Sequence, residues 1–260
     1  MGEMIRGENT SYARYEELIT RRDNLRKEAF QYHRAYVREF GDLILEVFRK
    51  KIECIQKKKT IEYCQAALNH GKVVDQKLMQ EYLEKEMAEF KAQLDDMVKE
   101  HDSSLKDWNI TEKDALEIKR IYHRLVKKIH PDINPSVAGS EELMDLWNRV
   151  VVCYDCNNLK ELRELEVLVA KALENLGACS GVIDIPNLDE KIKAIEEEIT
   201  KITETDPYQY KFLLTDADAV DSKKEELKEE LQSYEKYSDQ LDDALEVILG
   251  SGVKITWQMK

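Results

Sequence analysis

Apolar residues recur along almost the whole chain at intervals of three and four, the period of a helix that buries one face. Tyr15, Leu18, Leu25, Ala29, Tyr32 and Tyr36, continued by Phe40, Leu43, Ile44 and Val47, predict one long helix from about Ser11 to Lys59, with a bend near Gly41. A shorter helical piece over Ile61–Leu68 stops at Asn69-His70-Gly71. Leu78, Tyr82, Met87, Phe90, Leu94 and Met97 place a further helix over Asp75–Glu100. Thr111-Glu112-Lys113-Asp114 reads as a capping-box-like start, and the helix it opens ends at His130-Pro131, because proline cannot continue the ladder and restricts the residue before it. After a loop over Asp132–Ser140, Glu141–Tyr154 carries Leu143, Trp147, Val150 and Tyr154 on one face. Asn157 and Asn158 break that helix, Leu159–Leu176 forms the next, and Gly177–Gly181 closes the segment. Leu188, Ile192, Ile195, Ile199 and Ile202 step by 4, 3, 4, 3, a heptad seam, and Leu227, Leu231, Tyr234, Leu241, Leu245 and Ile248 supply a matching stripe. With Asp206-Pro207 at the top, these two predict an antiparallel hairpin arm, and Val253–Gln258 a short terminal strand.

Composition narrows the fold class. Only 9 glycines and 4 prolines occur in 260 residues, while 36% of residues are charged. A turn-rich sandwich or barrel needs more chain breakers, and no β-branched runs alternate with glycine turns as a doubly wound sheet requires. The expectation is an all-α fold in three parts: N-terminal long helices over 1–102, a compact helical module over 103–181, and an acidic helical hairpin with a short tail over 182–260. No run approaches the roughly 20 apolar residues that span a bilayer, and the polar Met1–Tyr15 stretch lacks a signal-peptide core. Five cysteines without a regular framework fit reduced thiols, hence a cytoplasmic protein.

The formal net charge of −13 is unevenly spread. Arg14–Lys59 holds 13 Lys/Arg against 8 Asp/Glu, net +5, whereas Asp184–Glu246 holds 8 Lys against 20 Asp/Glu, net −12. Such opposite fields permit self-association through the arms, giving a homo-oligomer, or attraction between them within one chain. Otherwise they are solvated helix faces.

One segment rises above generic helix. Ile118, Ile121, Tyr122, Leu125 and Ile129 form a single buried stripe, leaving Lys119, Arg120, His123, Arg124 and Lys127 largely off it. Glu117–His130 carries five Lys/Arg and one acid, a positive patch in an acidic protein, for which an acidic partner surface is the natural complement. His130-Pro131-Asp132 then presents an imidazole and a carboxylate at a stiffened helix exit, where contact with a partner needs little ordering.

The stretch Tyr122–Pro135 resembles the second helix and loop of a J-domain, the module by which DnaJ-type co-chaperones stimulate the ATPase of DnaK-type chaperones. Tyr122, Leu125, His130, Pro131, Asp132 and Asn134 fall in the family's register, and Trp147, Val150, Cys153 and Tyr154 match the pattern of its following helix. The Asn157-Asn158-Leu159 continuation is similar to a bacterial subgroup with a polar break in place of the usual domain tail. The resemblance covers about residues 103–176. It implies an allosteric role: the basic helix docks on an acidic ATPase domain near its interdomain linker, and the His-Pro-Asp turn helps trigger hydrolysis there. The implied partner-binding residues are Lys119, Arg124, Lys127, His130, Pro131 and Asp132, with Tyr122 and His123 at the edge of the surface. The chain departs from the family in four ways. No Tyr-Tyr-x-x-Leu-Gly helix precedes Thr111, so Leu105, Trp108 and Ile110, or the helix before them, are expected to fill its packing role. His123 replaces a usual cation, the loop over Pro135–Glu141 is slightly long, and neither a Gly/Phe-rich linker nor a Cys-rich zinc module is present.

Other signals point to bland chemistry. Cys153 and Cys156 form a Cys-x-x-Cys without the second pair that zinc requires, and no metal or cofactor is expected. His130 or His123 beside Asp132 lacks a nucleophile elbow and a second carboxylate at useful spacing, so no catalytic residue is assigned. Lys57-Lys58-Lys59 reads as a solvated helix end, making nucleic acid an unlikely partner, and Asp216–Asp221 lacks the glycine and closing glutamate of a calcium loop. The competing reading is a coiled-coil scaffold in which the J-like segment is structural.

Overall fold

The computed structural model describes residues 2–70, 74–105, 110–175 and 187–250. Among the described residues every regular element is helical: α1 (Gly2–Asn69), α2 (Gln76–Leu105), α3 (Glu112–Ile129), α4 (Pro135–Ala138), α5 (Glu141–Asp155), α6 (Leu159–Asn175), α7 (Leu188–Glu204), α8 (Tyr210–Thr215) and α9 (Ala217–Gly250). The all-α expectation therefore holds. Gly177–Gly181, Trp108 and the strand expected over Val253–Gln258 lie outside the described residues.

The chain divides into two compact units that do not follow the linear boundaries at 102 and 181. Met1–His33 combines with Asp107–Lys211, and Arg34–Lys106 combines with Phe212–Lys260. Helix α1 thus contributes its first half to one unit and its second half to the other.

In the first unit, α3, α5 and α6 surround a core that includes Ile118, Leu125, Ile129, Val150, Leu162 and Leu165. Tyr15 and Ile19 of α1 and Ile192, Ile195 and Ile199 of α7 enter the same core. Helix α7 runs parallel to α1, as the pairs Arg14–Glu196 and Arg26–Glu198 and the ring contact Tyr32–Tyr208 trace in order. The heptad seam of α7 is therefore buried in the core it shares with α1, α3, α5 and α6. The stripes over 188–202 and 227–248, expected to pair as a hairpin, fall in different units. A seam specifies that one face is buried and leaves the partner open.

The second unit sets α2 antiparallel and α9 parallel to the second half of α1. Lys59–Glu86 and Tyr63–Tyr82 tie α1 to α2 at one end. At the other, Arg34 donates to the Ser103 carbonyl at 2.8 Å and Arg38 to that of Ser104 at 2.9 Å, satisfying carbonyls that the end of α2 leaves without helical partners. Lys224–Glu39 and Lys57–Asp242 (2.6 Å) hold α9, and Cys54 Sγ–H donates to the Tyr234 carbonyl. Leu241 and Leu245 pack with Cys54 and Ile61. The Lys57–Lys59 run is thus no solvated helix end. Lys57 sits among Glu53, Ser238 and Asp242, and its hydrogen bonds, with those of Lys50 and Ser238, outweigh burial to hold the Glu53 carboxyl down at about 2. Asp216, from the supposed calcium-like run, accepts from the Asp218 and Ala219 amides and opens α9 as a cap.

Helix α1 is unbroken where the sequence predicts a bend and then a separate helical piece. One glycine costs a helix interior about 1 kcal/mol relative to alanine, too little to end a helix held by tertiary packing. Gly41 serves a different purpose: the buried His101 ring of α2 fills the space over it, and an added Cβ would lie 2.2 Å from His101 Cδ2. Gly41→Ala should therefore gain about 1 kcal/mol of helix propensity and lose more through overpacking, about 1–3 kcal/mol. The expected net effect in denaturant unfolding is destabilisation, relieved in the Gly41→Ala, His101→Ala double variant relative to His101→Ala alone. A stabilised single variant would show that the notch is unnecessary.

Candidate interaction site at the His-Pro-Asp turn

Helix α3 begins where Thr111 Oγ1 accepts from the Asp114 amide at 3.1 Å and its hydroxyl donates to the Asp114 carboxylate at 2.8 Å, a capped start where the sequence predicts one. Its stripe of Ile118, Ile121, Tyr122, Leu125, Val126 and Ile129 is buried. His130 is the C-cap, with extended backbone and its amide donating to Val126. Pro131 is half-buried and Asp132 is exposed. Ile133 and Val137, both fully buried, anchor the turn from its far side, and Asn134 donates to the Lys128 carbonyl at 2.8 Å. The loop predicted over Asp132–Ser140 contains the short α4, with Pro135 at the helical position that tolerates proline best. Asn157 takes a left-handed conformation (φ 55°), one that asparagine tolerates, and the Asn158 side chain caps α6, so this pair ends one helix and starts the next as expected.

Aromatic rings fix the turn to α5. Tyr122 stacks on Tyr154 with centroids 3.8 Å apart, and the His130 ring meets Trp147 edge-on at 4.7 Å. What the sequence did not place here is α1. Asp23 accepts from Tyr122 Oη–H at 2.9 Å, Asn24 accepts from Tyr154 Oη–H at 2.5 Å, and Lys27 Nζ lies 3.8 Å from the Tyr154 ring centre. Tyr12, Tyr15, Leu18, Ile19 and Leu25 pack into the same core. Helix α1 thus packs where Leu105, Trp108 and Ile110, or the helix before them, were expected to. Ile110 does contact the core, but Leu105 is exposed. The only sequence signal was aromatic: Tyr12 and Tyr15 ahead of Leu18 and Ile19, about a hundred residues before the motif.

The predicted cationic residues have different fates. Lys119 and Arg120 are exposed and make no ion pair among the described residues. Arg124 is held by Glu166 in a bidentate pair (2.7 and 3.1 Å), and Lys127 reaches Glu16 of α1 at 3.3 Å. His123 adds no cation: burial, then Lys119 and Lys127, push its pKa below the ordinary value, and its buried Nε2 has no hydrogen-bond partner among the described residues.

His130 is buried, contrary to the exposed imidazole expected at a loop tip. The Asp132 amide donates to Nδ1 at 3.1 Å, and Arg22 Nη2 lies 3.2 Å from Nε2. A neutral imidazole has one acceptor nitrogen, so it can satisfy only one of these donors at a time, and an imidazolium would satisfy neither. Burial is the first cause that lowers the His130 pKa, and Arg22 and Arg26 act in the same direction against Asp23 and Asp132. Arg22 also pairs with Asp23 (3.0 Å), Asp132 (3.5 Å) and Glu198 (3.7 Å). Beside the turn a cavity of about 280 Å³ is lined by residues that include Arg22, Arg26, His130, Asp132, Trp147 and Asp155. Burial raises the Asp155 carboxyl to about 6, and burial lowers Lys27 to about 8.

No group of three or more His, Cys, Asp or Glu side chains suited to a metal occurs among the described residues, and Cys153 is buried with its thiol pushed up to about 12, chiefly by burial. None of the described helices is long and apolar enough to cross a membrane.

Because the folded-state pKa of His130 lies below its unfolded value near 6.5, the unfolded chain binds more protons as the pH falls through that interval. The stability His130 contributes is present above about 6.5 and lost toward lower pH. Asp155 acts with opposite sign, its contribution being lost as pH rises through about 6. The stability difference between wild type and His130→Gln isolates the histidine, and in urea unfolding it should narrow from pH 7.5 to pH 5. A constant difference would mean an unperturbed imidazole. No family model, curated protein or solved structure matches this chain.

Proposed function

We propose that the chain is a non-enzymatic co-chaperone or adaptor that engages the ATPase domain of a DnaK-type chaperone through α3 and the His-Pro-Asp turn, and that it works in the cytoplasm. The observation that carries this reading is the division of α3 into a fully buried stripe and a cationic outer face that ends at an exposed Asp132. Lys119 and Arg120 lie on that face with no ion-pair partner among the described residues, which leaves them to attract an acidic partner. Pro131 and the buried Ile133 and Val137 hold the turn before any partner arrives, which lowers the ordering cost of association. Cys54, Cys64 and Cys153 are buried free thiols, as suits a reducing compartment.

A second reading, a scaffold with a structural J-like segment, is favoured by one specific observation: Arg22 covers His130, and Glu16 already neutralises Lys127. The α7 seam is likewise buried within the chain. ATP turnover by a DnaK-type chaperone, titrated with this protein, separates the readings. The expected result is saturable stimulation of several-fold, abolished in His130→Gln, with a half-maximal concentration that rises about tenfold in Lys119→Glu/Arg120→Glu, the loss of about 1.4 kcal/mol of attraction. Absence of stimulation at saturating wild-type protein would leave the scaffold reading.

A further inference from the structure

The residues of α1 that face the turn repeat, inside the chain, the chemistry of the partner. Glu16 meets Lys127, Asp23 meets Tyr122 and approaches His130 Nε2 at 3.9 Å, and Arg22 lies against both His130 and Asp132. A docking surface in a J-like module that is already met by acids, with its histidine shielded, is closed to a second acidic surface. We propose that Arg22, assisted by Glu16, is a built-in latch that withholds the His-Pro-Asp turn from the docking partner until its guanidinium moves off His130 and Asp132. This rests on the docking reading above.

The latch is a matter of side chains and not of the whole helix. Tyr15 and Ile19 are buried in the core and Asp23 is tied to Tyr122, so the α1 backbone is fixed next to the turn. The Arg22 ion pairs beyond its own helix are longer than the 3.0 Å pair with Asp23: 3.5 Å to Asp132 and 3.7 Å to Glu198, whose carboxylates are about half exposed. The adjacent cavity gives the guanidinium somewhere to go. Asp155 lines it, a carboxylate that burial has left poorly solvated and that a second cation would stabilise. A second seat beside Asp155, added to the observed one over the turn, would give the two-state element that switching requires. An acidic partner that arrives over Lys119 and Arg120 competes with Asp132 and Glu198 for Arg22 and so draws the guanidinium off the turn.

The test has two arms on the full chain. In the first, acylation of histidines by diethylpyrocarbonate is followed by mass spectrometry, with the exposed His70 as internal reference. His130 should be at least tenfold less reactive than His70 in wild type and approach it in Arg22→Ala. A wild-type His130 that reacts like His70 overturns the latch whether or not any chaperone is engaged. In the second, stimulation of a DnaK-type ATPase is titrated. If the latch is closed about nine-tenths of the time, Arg22→Ala lowers the half-maximal concentration about tenfold, because apparent affinity scales with the competent fraction. Glu16→Ala, at a partly exposed surface pair, should shift it less and in the same direction, and serves if Arg22→Ala fails to fold as judged by circular dichroism. An unchanged or weakened half-maximal concentration in a folded variant overturns the proposal. Stimulation by none of the proteins, with His130 nevertheless unmasked in Arg22→Ala, overturns the docking reading and makes the Arg22 contact a packing feature.

Discussion

A charged dipeptide, Arg22-Asp23, is buried where α1 crosses the Tyr122–Tyr154–Trp147 cluster, and the arrangement of the first unit depends on it. Burying two charges is unfavourable, and a well-packed apolar pair is often as stable or more so. What the pair supplies is register. Asp23 accepts from Tyr122, Asn24 takes the Tyr154 hydroxyl, and Lys27 caps the Tyr154 ring one turn further on. A slip of α1 by one turn would keep apolar contacts such as those of Tyr15 and Ile19 approximately satisfied, but it would take Asp23 and Asn24 away from two buried phenols and leave those hydroxyls without partners. Leaving a buried polar group unpaired costs about 1–3 kcal/mol, and more when it is charged. Polar contacts therefore select one docking position from the several that hydrophobic burial would allow.

The opposite fields of α1 and the C-terminal helices act in the same sense, more weakly. Arg14–Glu196, Arg26–Glu198 and Lys224–Glu39 are substantially exposed, and surface pairs contribute about 0–1 kcal/mol each. They add to the contacts between the helices, but most of the attraction comes from the apolar clusters. They do make the parallel arrangement of α7 and α9 along α1 preferable to alternatives of equal apolar burial. The uneven charge that the sequence displayed as two separate regions is in this sense one pattern, read across paired helices in each unit.

Much of α3 was legible in the sequence because its determinants are local: the 3–4 spacing of Ile118, Ile121, Leu125 and Ile129, the Thr111 cap and the His130-Pro131 stop all act within a few turns. The Asn157-Asn158 break was legible for the same reason. The burial of His130 was not, since it depends on Arg22, 108 positions away. Nor was the purpose of Gly41, which makes sense only with His101 against it. The Lys57 run misled because three consecutive cations suggest solvent, whereas one of them lies beside Ser238 and Asp242 from the far end of the chain. Periodicity identifies which face is buried. It carries no address for the partner, so the seam of α7 suggested a hairpin with the C-terminal stripe, whereas its isoleucines enter the core of α1, α3, α5 and α6.

The His-Pro-Asp tripeptide is itself split by this packing. His130 belongs to the interior: its ring lies on Trp147, and both of its nitrogens face N–H donors, an environment for a neutral imidazole. Asp132 belongs to the surface, with a carboxylate about half exposed and paired only at 3.5 Å with Arg22. Anything that approaches from solvent therefore meets the carboxylate first and the guanidinium second, and reaches the imidazole only after the guanidinium has moved. The same three residues in an uncovered turn would offer acid and imidazole together. Here α1 imposes an order on them, and that order follows from a helix whose main structural task is to complete the core beneath.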